Sequence, residues 1–293
     1  MKERPVRPQY FADIRRQLAL LRSSFSPDGR PIIGLVPTMG DLHAGHAALM
    51  ERARAECDTV VVSIFVNPIQ FDRRDDYEAY AIDLEKDVDF CATLGVDFVF
   101  APSAQEMYPE PPSTFVEVAG FSAHLCGKFR PGHFRGVTTV VAKLFNIIAP
   151  DKAYFGEKDA QQLAVVERMV ADLNMPVEII AVPTVREPDG LALSSRNKRL
   201  TPQERAIAPA LYGALEIGAD CIRQGCTSAT QVRRAALAHL RRHPELRVEY
   251  LEVVDASSMT PVETIGGPVC IATAAWLGAV RLIDNVLIDN IGT

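Results

Sequence analysis

The chain lacks a run of about 20 apolar residues of the kind that crosses a bilayer, and it has no internal repeat and no low-complexity tract. These absences exclude a helical membrane span and a solenoid, and they leave disorder without a compositional basis. The N-terminal stretch MKERPVRPQY has no apolar core of the secretory-leader kind, so the expectation is a cytoplasmic enzyme or binding protein. Paired cysteines are missing as well. Cys57, Cys91, Cys126, Cys221, Cys226 and Cys270 are scattered, with no C-x-x-C pair and no histidine at zinc spacing, and read as reduced, mostly structural thiols. An excess of basic charge is also absent: 31 Lys and Arg against 37 Asp and Glu give a formal net charge of −6. That balance argues against broad contact with nucleic acid or a membrane surface, and it leaves room for a local basic pocket that holds a small anion.

What is present is a soluble composition, 48% hydrophobic and 23% charged over 293 residues, long enough for two domains with a substantial core. The organising stretch is Ile32 to Glu56. Ile32, Ile33, Leu35 and Val36 form an unalternating apolar run that fits a buried parallel strand, which is expected to break at Pro37 into a loop and then a helix. His43, Gly45 and His46 sit at that junction. Two imidazoles three residues apart share one face of a helix start, and Gly45 lets a flat ring or a phosphate approach the backbone. Loops at strand carboxyl ends line the ligand crevice of an open α/β sheet, and a helix N-terminus there favours anions. Surface histidines and metal ligands are the competing readings of the pair, the second weakened by the lack of a third His or Cys nearby.

The rest of the chain repeats the pattern. Helical spacing at Phe11–Leu21 is followed by a turn at Ser26 to Gly29. Thr59 to Val66 reads as a second buried strand, whose following loop carries the amides of Asn67 and Gln70. Asp75 to Leu94 reads as an acidic helix, in which Asp87 could face the crevice, and Asp97 to Phe100 as a third strand. Thr114 to Val118 suggests a further short strand, and Val137 to Ile148 an apolar helix preceded by the basic segment KFRPGHFRG, where Arg130 suits an anion. Ala153 to Phe155 is a strand that ends at Gly156 and Lys158, with Asp159 at a natural cap and Gln162 one turn further on. Val177 to Val185 closes the alternation, and a polar loop from Arg186 to Leu200 carries Ser194, Ser195 and Arg196. Beyond it, helices at Pro202–Gln224 and Ser228–Arg242 precede three strand-like runs. The boundary is therefore expected near Pro183, dividing an α/β domain (residues 1–182) from a smaller α+β domain (residues 183–293).

Six blocks of sequence, PTMGDLHAGH (37–46), SIFVNPIQF (63–71), RPGHFRGV (130–137), FGEKDAQQL (155–163), DGLALSSRN (189–197) and AAWLGAVRLIDN (274–285), run in the order found in pantoate–β-alanine ligases (pantothenate synthetases). The chain resembles that family over nearly its whole length. The resemblance implies a homodimer with a Rossmann-like N-terminal domain that uses ATP and Mg²⁺ to join pantoate to β-alanine through a pantoyl adenylate. By matching position, it implies that His43, His46, Lys158, Ser194, Ser195 and Arg196 contact the ATP phosphates, with His43, His46, Lys158 and Arg196 as the catalytic set. It further implies that Pro37, Thr38, Met39, Gly40, Gly156, Glu157, Asp159, Val185 and Leu193 line the nucleotide site, and that Met39, Gln70 and Gln162 hold pantoate. Asp87 falls where the family places an acid near magnesium, and the Ser-Ser-Arg loop is expected to close over the site. The chain departs from the family pattern at Tyr80-Ala81-Ile82, where Tyr-Pro-Arg is common, and at Cys126, where glutamate is usual. Transfer to a different acceptor, or nucleotide sensing without chemistry, are the competing functions.

Overall fold

The computed structural model describes residues 4–24, 29–78, 80 and 83–289. These divide into two compact units, one within Met1–Val118, Pro131–Gly156 and Val165–Val182, the other within Ala119–Arg130, Glu157–Ala164 and Pro183–Thr293. In chain order the elements are α1 (Phe11–Ser23), β1 (Ile33–Thr38), α2 (Ala44–Glu56), β2 (Thr59–Ile64), α3 (Arg74–Glu78), α4 (Leu84–Thr93), β3 (Phe98–Phe100), α5 (Ala104–Met107), α6 (Leu125–Phe129) and α7 (His133–Ile148). There follow β4 (Lys152–Gly156), α8 (Ala160–Asp172), β5 (Glu178–Val182), α9 (Pro202–Ile207), α10 (Ala210–Arg223), α11 (Ala229–Leu240), β6 (Leu246–Asp255), β7 (Val269–Leu277) and β8 (Val280–Ile288).

The first unit holds a five-stranded parallel sheet in the order β3-β2-β1-β4-β5. β2 is buried at every position and β1 at all but Pro37, as their unalternating sequences require of strands covered on both faces. Val36, Met50, Val62, Val88, Val99 and Tyr154 pack the core beside them. β1 runs on through Pro37 to Thr38 instead of breaking there. Its ladder to β4 covers only Gly34 and Leu35, so proline's missing N–H falls where β1 pairs with β2 alone. Because β1 lies between β2 and β4, the chain leaves the middle of the sheet in both directions, and the carboxyl ends of β1 and β4 form the switch point at which such sheets bind ligands.

The second unit is built on an antiparallel sheet, β6-β7-β8, with a bulge between Val248 and Tyr250. Leu211, Leu215 and Ile222 of α10 and Val232 and Ala236 of α11 pack with Val253 and Ile271 of the sheet. Parallel α/β and antiparallel α+β parts are thus both present, but the second unit also takes in residues 119–130 and 157–164, so the chain does not divide at Pro183 alone.

Several elements differ from the sequence reading. Thr114–Val118 joins no ladder. The N–H of Val116 donates to Thr139 Oγ1 at 3.0 Å and its carbonyl accepts from Thr138 Oγ1 at 2.6 Å, so helix side chains satisfy the groups that a neighbouring strand would. α7 begins four residues before Val137, after Gly132 in a left-handed conformation (φ 80°). The stretch from Asp75 to Leu94 forms two helices, α3 and α4. Pro202–Gln224 likewise divides, because Pro209, which lacks an N–H, starts α10. The turn residues 26–28 and the departure at Ala81-Ile82 lie outside the described residues.

Candidate functional site

In the first unit the site grows from the end of β1. Thr38 Oγ1 donates to the Ser63 carbonyl of β2 at 2.8 Å and accepts from the Gly40 N–H at 3.3 Å, which ties the start of the loop to the sheet. The loop then turns through Gly40 (φ 87°) and Asp41 (φ 52°), left-handed positions of the kind glycine and aspartate tolerate. Asp87 of α4 holds it there: its two carboxylate oxygens accept the N–H groups of Asp41 and Leu42, both at 2.9 Å. Burial pushes the Asp87 carboxyl above its ordinary range, and the two N–H bonds pull the other way.

His43 and His46 form a reciprocal cap on α2. His43 Nδ1 accepts the Gly45 N–H at 3.1 Å, and His46 Nδ1 accepts the His43 N–H at 3.2 Å. In a capping box this return bond is usually made by Glu or Gln. With Nδ1 accepting on both rings, the proton of each neutral imidazole is on Nε2, so each Nε2 is a donor. The rings lie 4.2 Å apart, centroid to centroid. Ring donors beside a helix N-terminus are the chemistry that suits an anion.

Beside this lies Gln70, buried in the short turn after β2. Its Oε1 accepts from Asn67 Nδ2 at 3.0 Å, so its Nε2 is turned to Met39, whose Sδ accepts at 3.1 Å. Asn67 is itself fixed, donating to the Gly136 carbonyl at 3.0 Å and accepting from the Tyr108 hydroxyl at 2.9 Å. Burial raises the Tyr108 pKa and keeps that hydroxyl protonated as a donor. His133 Nδ1 meets the Gln70 carbonyl at 2.8 Å. A Cβ on Gly136 would stand 2.5 Å from the Ile69 carbonyl, so α7 and this turn touch backbone to backbone. Met39 and Gln70 are thus brought together, and Tyr108, His133 and Gly136 have roles in their support that the sequence reading missed. His133 and Gly136 fall in the block at 130–137, but nothing in the sequence marks Tyr108. Arg135 lies 4.7 Å over the Phe115 ring.

The end of β4 is open: a Cβ on Gly156 would meet no atom within 4 Å.

In the second unit, Glu157, Lys158 and Asp159 form a 3-10 turn ahead of α8, and Gln162 stands half-buried in the first turn of that helix. The carbonyls of Glu157 and Lys158 both accept from Asn285 Nδ2 at 2.9 Å. Val185 and Leu193 face each other across a small hairpin, Leu193 N–H to Val185 carbonyl at 2.9 Å. Ser194 begins the 3-10 turn Ser195–Arg199, its Oγ accepting the Arg196 N–H at 3.3 Å. The hairpin is rooted by Arg186, which donates to both oxygens of Asp284 (2.7 and 3.0 Å) and to the carbonyls of Gly190 (3.1 Å) and Asn285 (3.2 Å). Burial raises the Asp284 carboxyl, while the Arg186 guanidinium opposes that rise. Sequence reasoning assigned Arg186, Asp284 and Asn285 no role, because partners 98 and 99 residues apart leave no local pattern. Cys126 lies 3.1 Å from the Tyr250 hydroxyl and 3.6 Å from Arg281 Nη2, so the thiol is packed in a polar cluster of this unit.

Among the described residues, no group of three or more His, Cys, Asp or Glu is placed to hold a metal ion, and no helix is long and apolar enough to cross a membrane. Asp87 serves as a loop anchor, each of its oxygens receiving an N–H.

The chain is similar to known proteins over most of its length. The sequence model of the family described as pantoate-beta-alanine ligase matches residues 9–287. Pantothenate synthetase of Moorella thermoacetica is 55% identical over 257 residues, covering 88% of this chain and 91% of the relative. That of Thermotoga neapolitana is 55% identical over 256 residues, 87% and 91% of the two chains. Among solved structures, pantothenate synthetase from Thermus thermophilus superposes with a TM-score of 0.88 at 46% identity, covering 96% of this chain and 98% of the other. Pantoate-beta-alanine ligase from Francisella tularensis, complexed with beta-gamma ATP and β-alanine, gives 0.77 at 34% identity over 97% of each chain.

Proposed function

The chain belongs to the pantoate–β-alanine ligase family, and from that premise we propose that it condenses pantoate with β-alanine at the expense of ATP. In the first step the pantoate carboxylate attacks the α-phosphorus of ATP and pyrophosphate leaves, giving pantoyl adenylate. In the second, the β-alanine amine attacks the acyl carbon, AMP departs with the bonding pair, and the amine proton passes to solvent or buffer. The first step needs no general base, because a carboxylate of pKa near ~4 is already ionised at neutral pH. It needs in-line positioning and donors over the charge that develops on pyrophosphate.

The observation that carries this reading is the histidine cap of α2, which aims two ring donors and a helix N-terminus from the carboxyl end of β1. His43 and His46 are proposed to donate to phosphate oxygens, with Lys158 and Arg196 as cations for the departing pyrophosphate and Ser194 and Ser195 as hydroxyl donors to the phosphate chain. Pro37, Thr38, Gly40, Gly156, Glu157, Asp159, Val185 and Leu193 are proposed to line the nucleotide. Met39, Gln70 and Gln162 are proposed for pantoate, with the Gln70 amide turned so that its NH₂ meets a substrate oxygen. Magnesium belongs to the same reading as an ion carried on the triphosphate, since Mg²⁺ is commonly held by substrate phosphates and water with few protein ligands. Homodimerisation rests on the family resemblance.

Exchange of labelled pyrophosphate into ATP, without β-alanine, tests the proposal. Exchange that requires pantoate, followed by AMP release on adding β-alanine, is expected. Folded protein that binds ATP yet shows neither would overturn it.

A further inference from the structure

The block AAWLGAVRLIDN ends in Asp284-Asn285, two residues that the proposed chemistry leaves unused. Both are buried, at 4% and 6% exposure, in the middle of a strand where buried polar side chains are costly unless fully engaged. Successive residues of a strand point to opposite faces of its sheet. On one face, Asp284 receives the fork of Arg186, which also donates to the Gly190 carbonyl and lies 3.8 Å over the Tyr212 ring of α10. Gly190 itself (φ 92°) is pressed on Tyr212, where an added Cβ would stand 2.4 Å from the ring. These contacts fix the hairpin from Val185 to Leu193, from which the Ser194–Arg196 turn springs. On the other face, the Asn285 amide spans the carbonyls of Glu157 and Lys158. The two halves are joined to each other, as Asp284 Oδ1 accepts the Asn285 N–H at 2.8 Å and the Asn285 carbonyl accepts from Arg186.

We propose that Asp284 and Asn285 are positioning residues for adenylate formation: a single step of β8 holds the Lys158 turn on one face and the root of the Ser194–Arg196 loop on the other, and so sets these two segments in register. Four bonds from the two Arg186 Nη groups are engaged on Asp284, Gly190 and Asn285, and a buried pair of this kind is by itself weak evidence of a stabilising role. The inference rests on the roles proposed above for Lys158 and Arg196. A displacement of about 1 Å in such groups is enough to cost about 10²-fold in rate.

The test compares Asn285→Asp, Asn285→Ala and Arg186→Lys with the parent chain by thermal unfolding, by pantoate-dependent pyrophosphate exchange at varied ATP, and by aminolysis of supplied pantoyl adenylate with β-alanine. Asn285→Asp keeps the shape and replaces the donating amide with an acceptor facing two carbonyl oxygens. It and Asn285→Ala are expected to lower exchange kcat/KM for ATP about 10- to 100-fold, with aminolysis within about threefold of the parent. Arg186→Lys, which keeps the charge and loses the fork, is expected to show the same split more weakly. Exchange and aminolysis falling together in proportion to lost folded protein would reduce the pair to a structural role and overturn the inference. So would parental exchange in Asn285→Asp. A parent chain with no exchange at all overturns the functional reading itself, an outcome distinct from an active parent with indifferent variants.

Discussion

At the scale of the residue, His46 carries two duties that can be separated. Its Nδ1 caps α2 by accepting the His43 N–H, and loss of a cap costs about 1 kcal/mol. Its Nε2 is the proposed donor to phosphate, and removal of one preorganised donor costs about 10²- to 10³-fold in rate. His46→Ala is therefore expected to lose both, and His46→Gln to recover the cap, since glutamine is a customary residue for that return bond, while exchange stays at least about 10²-fold slow. Thermal unfolding beside the exchange assay reads the two effects separately. An active His46→Gln enzyme would leave the histidine with only its structural duty. The H-x-G-H spacing suggests an anion site from the sequence, but the tautomer is not legible there, because it depends on which backbone N–H each ring accepts.

At the scale of the element, α7 shows how one helix can orient a proposed binding residue on another segment. Gly136 lets the helix backbone meet Ile69 and Gln70, and its carbonyl holds Asn67, which orients the Gln70 amide. Gly136→Ala would push that turn away. The expected result is a stability loss of about 1–3 kcal/mol, the usual cost of overpacking, with KM for pantoate raised about tenfold or more as the Gln70 donor loses its aim. Steady-state kinetics at saturating ATP measures it, and an unchanged KM for pantoate would remove Gly136 and Gln70 from that site. The same helix explains the missing strand at Thr114–Val118. Its residues favour a strand, yet the hydroxyls of Thr138 and Thr139 occupy the backbone groups that a ladder would need.

At the scale of the whole molecule, the order β3-β2-β1-β4-β5 decides which loops matter. Of the strand ends in the first unit, those of β1 and β4 flank the switch point, and they lead into His43 and Gly156. The overall reaction adds a constraint that no single group in the chain lifts. The β-alanine amine must be unprotonated to attack, and amines of this kind titrate near pKa ~10. The rate of aminolysis is therefore expected to rise about tenfold per pH unit from about pH 6 towards 9 where chemistry is limiting. Single-turnover aminolysis of pantoyl adenylate across that range is the measurement. A flat profile would mean that the chain supplies a base that the reading omits.

The sequence by itself determined the alternation of buried strands and helices, the change of pattern after Pro183, and the candidate residues at strand ends, because each of these is written in local periodicity or in residue types a few positions apart. The clusters that position those residues were decided by tertiary structure alone. Asp87 reaches Asp41 across 46 residues, Tyr108 reaches Asn67 across 41, and Asn285 reaches Lys158 across 127. No local rule encodes such pairs, since a buried amide or carboxylate is satisfied by whichever backbone the fold brings to it.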